Sequence, residues 1–252
     1  MATAPNAWQT REIEYPSGDG KPVAETARHV RELLGAIQLL DIHFADQPDV
    51  FVGGNNFLYY VKGNRRKHVS PDVMVTIGIP KLPLRDYYLV WEEGKAPDFI
   101  VEISSKSTKR EDMKVKFELY RDVLRVREYF LFDPRAEYLN PPLQGFRLAG
   151  PDYVPIEPVA GRLPSEVLCL HLECDGDRLR FFNPVTGARL LNPIEAREAA
   201  DRRAEEARRR AEEERDRAEE ERRRAEAAEA GQRNLAAENE RLRREIEAMK
   251  RG

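Results

Sequence analysis

Cysteine is scarce in this chain of 252 residues, which contains only Cys169 and Cys174. Two cysteines are too few for the disulfide network of small secreted domains, so a disulfide framework is excluded. With His171 they form a C-x-H-x-x-C pattern, but a structural zinc site takes four ligands and no fourth candidate stands nearby. We therefore interpret both cysteines as thiols that are buried or lie at a strand edge.

Long apolar runs are also missing from the sequence. No segment approaches the roughly 18 consecutive apolar residues that a membrane helix needs. The first twenty residues are polar and lack the apolar stretch of a secretory signal. We therefore expect a cytoplasmic protein without a membrane segment, and an irregular leader over residues 1–20.

The chain has little net charge, −3, although 35% of its residues are charged. A strongly basic chain would indicate nucleic-acid binding directly, and this balance does not, although acidic regions can hide a local basic patch. The composition changes sharply near Pro193, after which Ala, Glu and Arg dominate. This change predicts a globular domain over residues 21–190 and a helical tail over residues 193–252.

Sequence motifs of several enzyme classes are absent. None of the four histidines, which are His29, His43, His68 and His171, stands in a nucleophile motif. The chain has neither a Walker P-loop nor a dinucleotide-binding fingerprint, and the Gly53-Gly54 pair is more typical of a turn.

The domain over residues 21–190 combines helix and strand signals. A helical pattern begins at Pro22 and ends near Ala45, with an apolar face formed by Val23, Ala27, Val30, Leu34, Ile37 and Leu40. Runs rich in β-branched and aromatic residues predict strands at 49–52, 57–61, 72–77, 87–91, 98–104 and 128–132. Shorter runs at 145–148, 153–156 and 179–182 predict peripheral hairpins. This order indicates a mixed α/β or α+β fold.

The strand over residues 98–104 and the helix after it have opposed faces. Phe99, Val101 and Ile103 point to one side of the strand, whereas Ile100, Glu102 and Ser104 point to the other. Ser107, Thr108 or a neighbour can cap the following helix, whose apolar face consists of Met113, Phe117, Tyr120 and Leu124.

Asp72 and Glu102 occupy unusual positions for acidic residues. Glu102 lies inside an apolar strand, and Asp72 begins a strand rich in Val and Ile. Burial of a carboxylate is costly unless it is paired or binds a cation, and hard divalent ions prefer carboxylate oxygens. The pair therefore indicates a metal site. The competing interpretation is that Glu102 faces solvent and that Asp72 belongs to a Pro-Asp turn.

A polar stripe on the helix after Glu102 adds a third component. Asp112, Lys116 and Tyr120 recur every four residues and therefore share one side of the helix. A lysine there could neutralise developing charge or orient an attacking water. Lys106 and Lys114 are rivals for this role, and Lys114 is more typical of a solvated helix lysine.

Four blocks of sequence, in this order, resemble the Uma-two family of restriction endonucleases. They are Val69-Ser70-Pro71-Asp72-Val73, residues 96–104, residues 107–112 with Lys116 and Tyr120 after them, and residues 128–134. Each block alone is weak, but the combination is specific. The resemblance covers roughly residues 15–190.

That family belongs to the PD-(D/E)XK nuclease superfamily. The resemblance implies a restriction-endonuclease-like core, in which helices flank a mixed central sheet. It also implies hydrolysis of phosphodiester bonds with Mg²⁺ or Mn²⁺. Asp72 would match the motif aspartate, Glu102 the second acidic residue, and Glu25 the acidic residue of the first helix; all three would then bind the metal.

The chain departs from the superfamily pattern at the catalytic lysine. Ser104 stands two residues after Glu102, where the general motif has lysine. The resemblance maps the lysine onto Lys116 in the following helix. Lys106 replaces the usual proline of the family and is the second candidate.

The tail follows a heptad pattern of seven-residue spacing. One seam position holds Ala204, Ala211, Ala218, Ala225, Gln232, Asn239 and Ile246, and the other holds Ala200, Ala207, Glu214, Glu221, Ala228, Leu235, Leu242 and Met249. The pattern predicts a coiled-coil homodimer in which Asn239 favours parallel chains. A lone charged helix held by ion pairs is the competing interpretation, and Gly231 is expected to mark a weak point or a bend.

Three hypotheses for function follow from these features. The leading one is a magnesium-dependent endonuclease that acts on nucleic acid, with DNA as the expected substrate. The main alternative is a catalytically inactive nucleic-acid-binding or scaffold protein of the same fold that assembles through its coiled coil. The third is a coiled-coil adaptor whose globular domain positions the tail. Retention of Asp72 and Glu102 favours the enzyme, whereas Ser104 and the near-neutral charge leave the alternative open.

Overall fold

The computed structural model describes residues 15–17, 26–105 and 108–251, and it divides after Asn192 into two compact units. Within the described residues of the first unit, the α-helices are α1 (Ala27–His43) and α2 (Val90–Glu93). The strands, in chain order, are β1 (Val50–Gly53), β2 (Leu58–Tyr59), β3 (His68–Val69), β4 (Val73–Ile77), β5 (Tyr88–Leu89), β6 (Phe99–Ile103), β7 (Glu128–Phe132), β8 (Leu143–Ala149), β9 (Asp152–Pro155), β10 (Leu163–Ser165), β11 (Leu170–Asp175), β12 (Arg178–Asn183) and β13 (Ala188–Arg189). A further helix, here called the π helix, contains the π-helical stretches Glu111–Lys116 and Leu119–Val123.

The centre of the first unit is a six-stranded sheet with strand order β1-β4-β6-β7-β8-β9. Strands β6 and β7 are parallel, and the other neighbouring pairs are antiparallel. Parallel strands need a long crossover connection, which the π helix supplies here. The predicted mixed central sheet of an α+β fold is therefore confirmed.

Two hydrophobic cores cover the two faces of this sheet. One face packs against α1 and the four-stranded sheet β10–β13. The other face packs against the π helix and the small sheet β3-β2-β5. The predicted alternation along β6 is confirmed, because Phe99, Val101 and Ile103 enter the first core and Ile100 enters the second.

The predicted apolar face of helix α1 is wrong in part, although Leu40 is buried and Ile37 packs against the core as expected. Its buried apolar residues are Leu33, Ala36, Leu39 and Leu40. Val30 and Leu34, which were expected in the core, are 38% and 59% exposed. The helix has two adjacent apolar rows, and the packing partner rather than the spacing selects between them. Val23 and the predicted start at Pro22 lie outside the described residues.

The predicted apolar face of the π helix is likewise wrong in part. Tyr120 and Leu124 are buried, but Met113 is 43% exposed. The row that contains Asp112 and Lys116 is buried instead. A π helix bonds residue i to i+5 and so changes the angular positions that α-helical spacing predicts.

Residues 143–191 do more than form peripheral hairpins. Strands β8 and β9 extend the central sheet, whereas β10–β13 form a sheet of their own that contributes to the first core. Cys169 and Cys174 are free and exposed, so of the two expected placements, burial or a strand edge, burial is wrong. His171 and Cys174 point to opposite faces of β11, because they are three residues apart in a strand.

The second unit is a single helix, α3 (Pro193–Arg251), of 59 residues. Its length is about 88 Å at the usual rise per residue. Glu–Arg pairs spaced i,i+4 recur along it, including Glu219–Arg223 and Glu240–Arg244. The helix continues through Gly231 without interruption. No helix within the described residues is long and apolar enough to cross a membrane.

Asp133 organises the chain directly after β7. Its buried carboxylate accepts hydrogen bonds from the backbone N–H groups of Arg135, Tyr138 and Leu139. Burial alone would raise the pKa of Asp133, but these backbone bonds outweigh burial and lower the pKa below its ordinary value of 3.8. The charged carboxylate therefore stabilises the loop that connects β7 to β8.

We expect Asp133→Asn to lower the free energy of unfolding by about 1–3 kcal/mol at neutral pH, because an amide nitrogen cannot accept the bonds of buried N–H groups. Urea denaturation measures this difference. Because the pKa of Asp133 is lower in the folded protein, its contribution is complete above the ordinary value and is lost as the pH falls through the folded value. The gap between wild type and variant should therefore narrow in acid. The exposed Asp122→Asn serves as the control, with a change within about 0.5 kcal/mol.

Candidate active site

The register of the central sheet makes Asp72 and Glu102 neighbours. Strands β4 and β6 are antiparallel, with Val73 opposite Val101. Continuing that register by one residue places Asp72 opposite Glu102 on the same face. The Ile103 N–H donates to Asp72 Oδ2 at 2.6 Å, and the Asp72 N–H donates to Glu102 Oε2 at 3.3 Å. Two acids that are 30 residues apart in sequence therefore share one site.

Glu102 is 0% exposed, so the interpretation that it faces solvent is wrong. Its Oε1 accepts the Tyr120 hydroxyl at 2.7 Å, and its Oε2 accepts the Lys116 ammonium at 2.8 Å. A carboxylate inside a core is tolerated when a cation and hydrogen bonds replace its lost hydration. The π helix supplies both of these partners.

The polar stripe of the π helix lines the site as its spacing predicts. Lys116 also lies 3.3 Å from Asp112 Oδ1, so it bridges two carboxylates. The Ser104 hydroxyl donates to Asp112 Oδ2 at 3.1 Å. Ser104, two residues after Glu102, thereby ties β6 to the helix that carries Lys116.

Of the other candidate residues, Lys114 does not enter this cluster. Lys114 is exposed on the π helix, as expected for a solvated lysine. Lys106 and Glu25 lie outside the described residues. Ser105 and Thr108 exchange side-chain to backbone hydrogen bonds ahead of the π helix, which agrees with the expected cap by Thr108 or a neighbour. Ser107 lies outside the described residues.

Gly54 fixes the backbone next to Asp72. A Cβ atom at this position would lie 2.0 Å from the Asp72 carbonyl oxygen, which no side chain allows. The Asn55 N–H donates to the Pro71 carbonyl at 2.8 Å, which joins the same two segments of backbone. The turn that the sequence predicts at Gly53-Gly54 therefore supports the strand end that carries Asp72.

His29 is a site residue for which no sequence pattern predicted a role. Its Nε2 lies 3.3 Å from Asp72 Oδ1, and the two side chains are 11% and 14% exposed. Thr26 caps α1 by accepting the His29 N–H, which fixes the first turn of the helix. The signal that could have identified His29 is its place on the polar side of the predicted first helix.

Carboxyl groups outnumber cationic groups in the site. Among the described residues, Asp72, Glu102 and Asp112 surround one ammonium, that of Lys116. Burial raises the pKa of Glu102, the charge of Lys116 opposes that shift, and Asp72 and Asp112 add to it. Burial disfavours the charged form of Lys116, but the surrounding carboxylates, Glu102 first, outweigh burial and raise the pKa of Lys116. The lysine is therefore held in its charged form.

Comparison with known proteins identifies the family of this chain. The family model of Uma2, whose description is "Putative restriction endonuclease", matches residues 7–175. The chain belongs to the Uma2 family. The resemblance carried by the four sequence blocks is thereby confirmed.

A solved structure is also similar to this Uma2 chain. It is entitled "Crystal structure of a putative nuclease belonging to DUF820 from Anabaena variabilis ATCC 29413 at 1.96 A resolution". The similarity covers 61% of this chain and 80% of that one, with 16% sequence identity and a TM-score of 0.43. None of the curated proteins that were compared with the chain matches it.

We expect Lys116→Met to lower the free energy of unfolding by about 3–5 kcal/mol, because it leaves the Glu102 carboxylate buried without its cation. The double variant Glu102→Gln/Lys116→Met should lose much less than the sum of the single losses, because both charges of the pair are then gone. Urea denaturation of the wild type, both single variants and the double variant measures this coupling.

Lys114→Met on the same helix is the matched control, since its side chain is exposed, and we expect a change within about 0.5 kcal/mol. Additive effects of the two substitutions at Glu102 and Lys116 would contradict the importance of their ion pair.

Proposed function

We propose that this Uma2 protein is an endonuclease that hydrolyses phosphodiester bonds in nucleic acid, with a divalent cation as cofactor and DNA as the substrate. The observation that carries the proposal is the cross-strand pair of Asp72 and Glu102 with Lys116 at 2.8 Å from Glu102. A family described as restriction endonucleases supports the same reaction class.

The donor chemistry of the site fits a hard divalent cation. Carboxylate oxygens are the ligands that Mg²⁺ and Mn²⁺ prefer, and a divalent cation would favour the charged form of the three carboxyl groups around Lys116. Asp72 and Glu102 would hold the ion. Among the described residues no group of three or more His, Cys, Asp or Glu side chains is placed to bind a metal. Glu25, which lies outside the described residues, is the third ligand that the family resemblance implies, and water would complete the coordination.

Each residue of the cluster then has a chemical role. A bound divalent cation lowers the pKa of a coordinated water and polarises a phosphoryl oxygen. Lys116 stays protonated, and its charge stabilises the negative charge that accumulates on the phosphate in the transition state. The Tyr120 hydroxyl and the Asp72 N–H fix the orientation of Glu102. Ser104 holds Asp112, which in turn contacts Lys116.

We expect Glu102→Gln to abolish cleavage of supercoiled plasmid DNA in Mg²⁺ or Mn²⁺, because the amide is a poorer cation ligand and carries no charge. Nicked and linear products resolved on agarose measure the cleavage, with EDTA as the metal-free reaction. The exposed Glu118→Gln on the π helix is the matched control and should cleave at the wild-type rate. Cleavage by Glu102→Gln at that rate would overturn the assignment.

The same assay distinguishes the candidate lysines. Lys116→Ala should lower the cleavage rate by about 10²–10³, the usual loss when one group that stabilises transition-state charge is removed. Lys114→Ala should cleave normally, and Lys106→Ala, tested beside them, is expected to resemble it. A wild-type protein that binds DNA but never cleaves it would favour the inactive binding or scaffold protein instead.

We also propose that the α3 helices of two chains form a parallel coiled coil. Leu235, Leu242, Ile246 and Met249 recur at heptad spacing and are 44–77% exposed in the single chain. A second copy of the same helix would cover this stripe with the same residues, and Asn239 would pair with its own counterpart. Ion pairs such as Glu219–Arg223 contribute only about 0.3–0.5 kcal/mol each and leave the apolar stripe uncovered.

We expect the full chain to sediment as a dimer, and the Leu235→Glu/Leu242→Glu variant to sediment as a monomer, because like charges would face each other in the seam. Ala230→Glu/Ala237→Glu, placed on the outer side of the same heptads, is the matched control and should remain dimeric. Analytical ultracentrifugation, with a chain that ends at residue 192 as the tail-free reference, measures the result. A monomeric wild type would favour the lone charged helix.

A further inference from the structure

The loop between β2 and β3 has the strongest local concentration of positive charge that no role yet explains. Lys62, Arg65, Arg66 and Lys67, here called the basic loop, are all exposed. No Asp or Glu occurs between Tyr60 and Pro71. The near-neutral charge of the whole chain therefore hides a local basic surface.

Several arginines of the first unit have acidic partners, unlike the basic loop within the described residues. Arg147 pairs with Glu128, and Arg162 and Arg189 both pair with Glu173. Within the part of the chain that the structure describes, none of the four basic-loop side chains forms an ion pair. Its charges are therefore available to a negatively charged ligand.

The backbone of the basic loop is ordered by hydrogen bonds. Two successive turns are closed by the bonds Asn64 N–H to the Val61 carbonyl and Lys67 N–H to the Asn64 carbonyl, each 3.1 Å. The Asn64 side chain accepts the Arg66 N–H at 3.0 Å. Gly63, at φ +82°, donates its N–H to the Tyr15 hydroxyl at 2.8 Å. A loop that is ordered before binding loses less entropy when it meets a ligand.

The connection from the basic loop to the candidate active site is short. Strand β3 and two further residues lead directly from Lys67 to Asp72. Five residues of extended chain span at most about 17 Å, which is roughly five base-pair steps along a DNA duplex. A nucleic acid with one phosphate at Asp72 would therefore have other phosphates within reach of this loop.

We propose that the basic loop binds the phosphate backbone of the nucleic acid, a few nucleotides from the bond that is cleaved. The proposal rests on the proposed function, because it places the substrate of that same site. Lys and Arg contacts to phosphates carry no sequence information and position the nucleic acid for the groups that act on it.

Salt dependence of binding tests this contact directly, because each neutralised phosphate releases counterions. We would measure fluorescence anisotropy of a labelled duplex DNA in EDTA, which prevents cleavage, over a series of salt concentrations. We expect a less negative slope for the variant Lys62→Gln/Arg65→Gln/Arg66→Gln/Lys67→Gln. The slope of the logarithm of the association constant against the logarithm of the salt concentration should change by about 3–4 for duplex DNA. A labelled single strand should show a smaller change of slope, because each phosphate contact contributes about 0.7 to the slope rather than about 0.9.

Two control variants separate a specific contact from a change in total charge. Arg202→Gln/Arg209→Gln/Arg223→Gln/Arg233→Gln removes the same four charges from the outer side of α3 and should leave the slope unchanged. Lys62→Arg/Arg65→Lys/Arg66→Lys/Lys67→Arg keeps the loop charge and should retain the wild-type slope. In Mg²⁺, the loop-neutralised protein should show a higher KM for DNA with an unchanged kcat.

The outcomes distinguish this inference from the proposed function. A loop-neutralised variant with the wild-type slope, in a protein that cleaves DNA, overturns the inference alone. A wild type that binds without cleaving overturns the proposed activity, while the slopes still decide the role of the loop. A wild type that neither binds nor cleaves nucleic acid overturns both.

Discussion

The ion pair between Glu102 and Lys116 is the constraint on which the rest of the site depends. A carboxylate in the middle of an apolar strand loses its hydration and must regain equivalent partners from the protein. The π helix provides them with Lys116 and Tyr120, and this requirement explains why its polar row faces inward. Ser104 and Asp112 then tie that helix to the same strand.

The two faces of the central sheet differ in polarity. On one face, Phe99, Val101 and Ile103 pack with α1 and the second sheet in an apolar core. On the other face, Glu102 takes its place beside Ile100, and the polar cluster interrupts an otherwise apolar layer. The alternation of a β-strand thus lets one short segment serve both cores.

Charge is distributed unevenly in this molecule, and the whole-chain balance conceals that distribution. Glu and Arg side chains pair along α3, and arginines such as Arg147 pair with buried acids in the first unit. The cluster around Lys116 is rich in carboxyl groups, whereas the basic loop, a short distance along the chain, has no ion pair among the described residues. The proposed endonuclease would use both, since a cation site and a phosphate-binding surface would act on one substrate.

The sequence by itself determined the local patterns: the alternation in β6, the polar stripe of Asp112, Lys116 and Tyr120, and the heptads of α3. It also singled out Asp72 and Glu102, because acids at such strand positions need a partner. Only the tertiary structure decided which face of α1 and of the π helix is buried, because two rows satisfy the periodicity and the packing partner selects one.

The meeting of His29 with Asp72 was likewise decided by tertiary structure, since α1 reaches that strand end only by packing across the sheet. Periodicity is a property of neighbours in sequence, whereas Glu102 finds Lys116 and Tyr120 at separations of 14 and 18 residues. Contacts between residues so far apart in sequence depend on how the elements pack, and a local sequence pattern does not predict them.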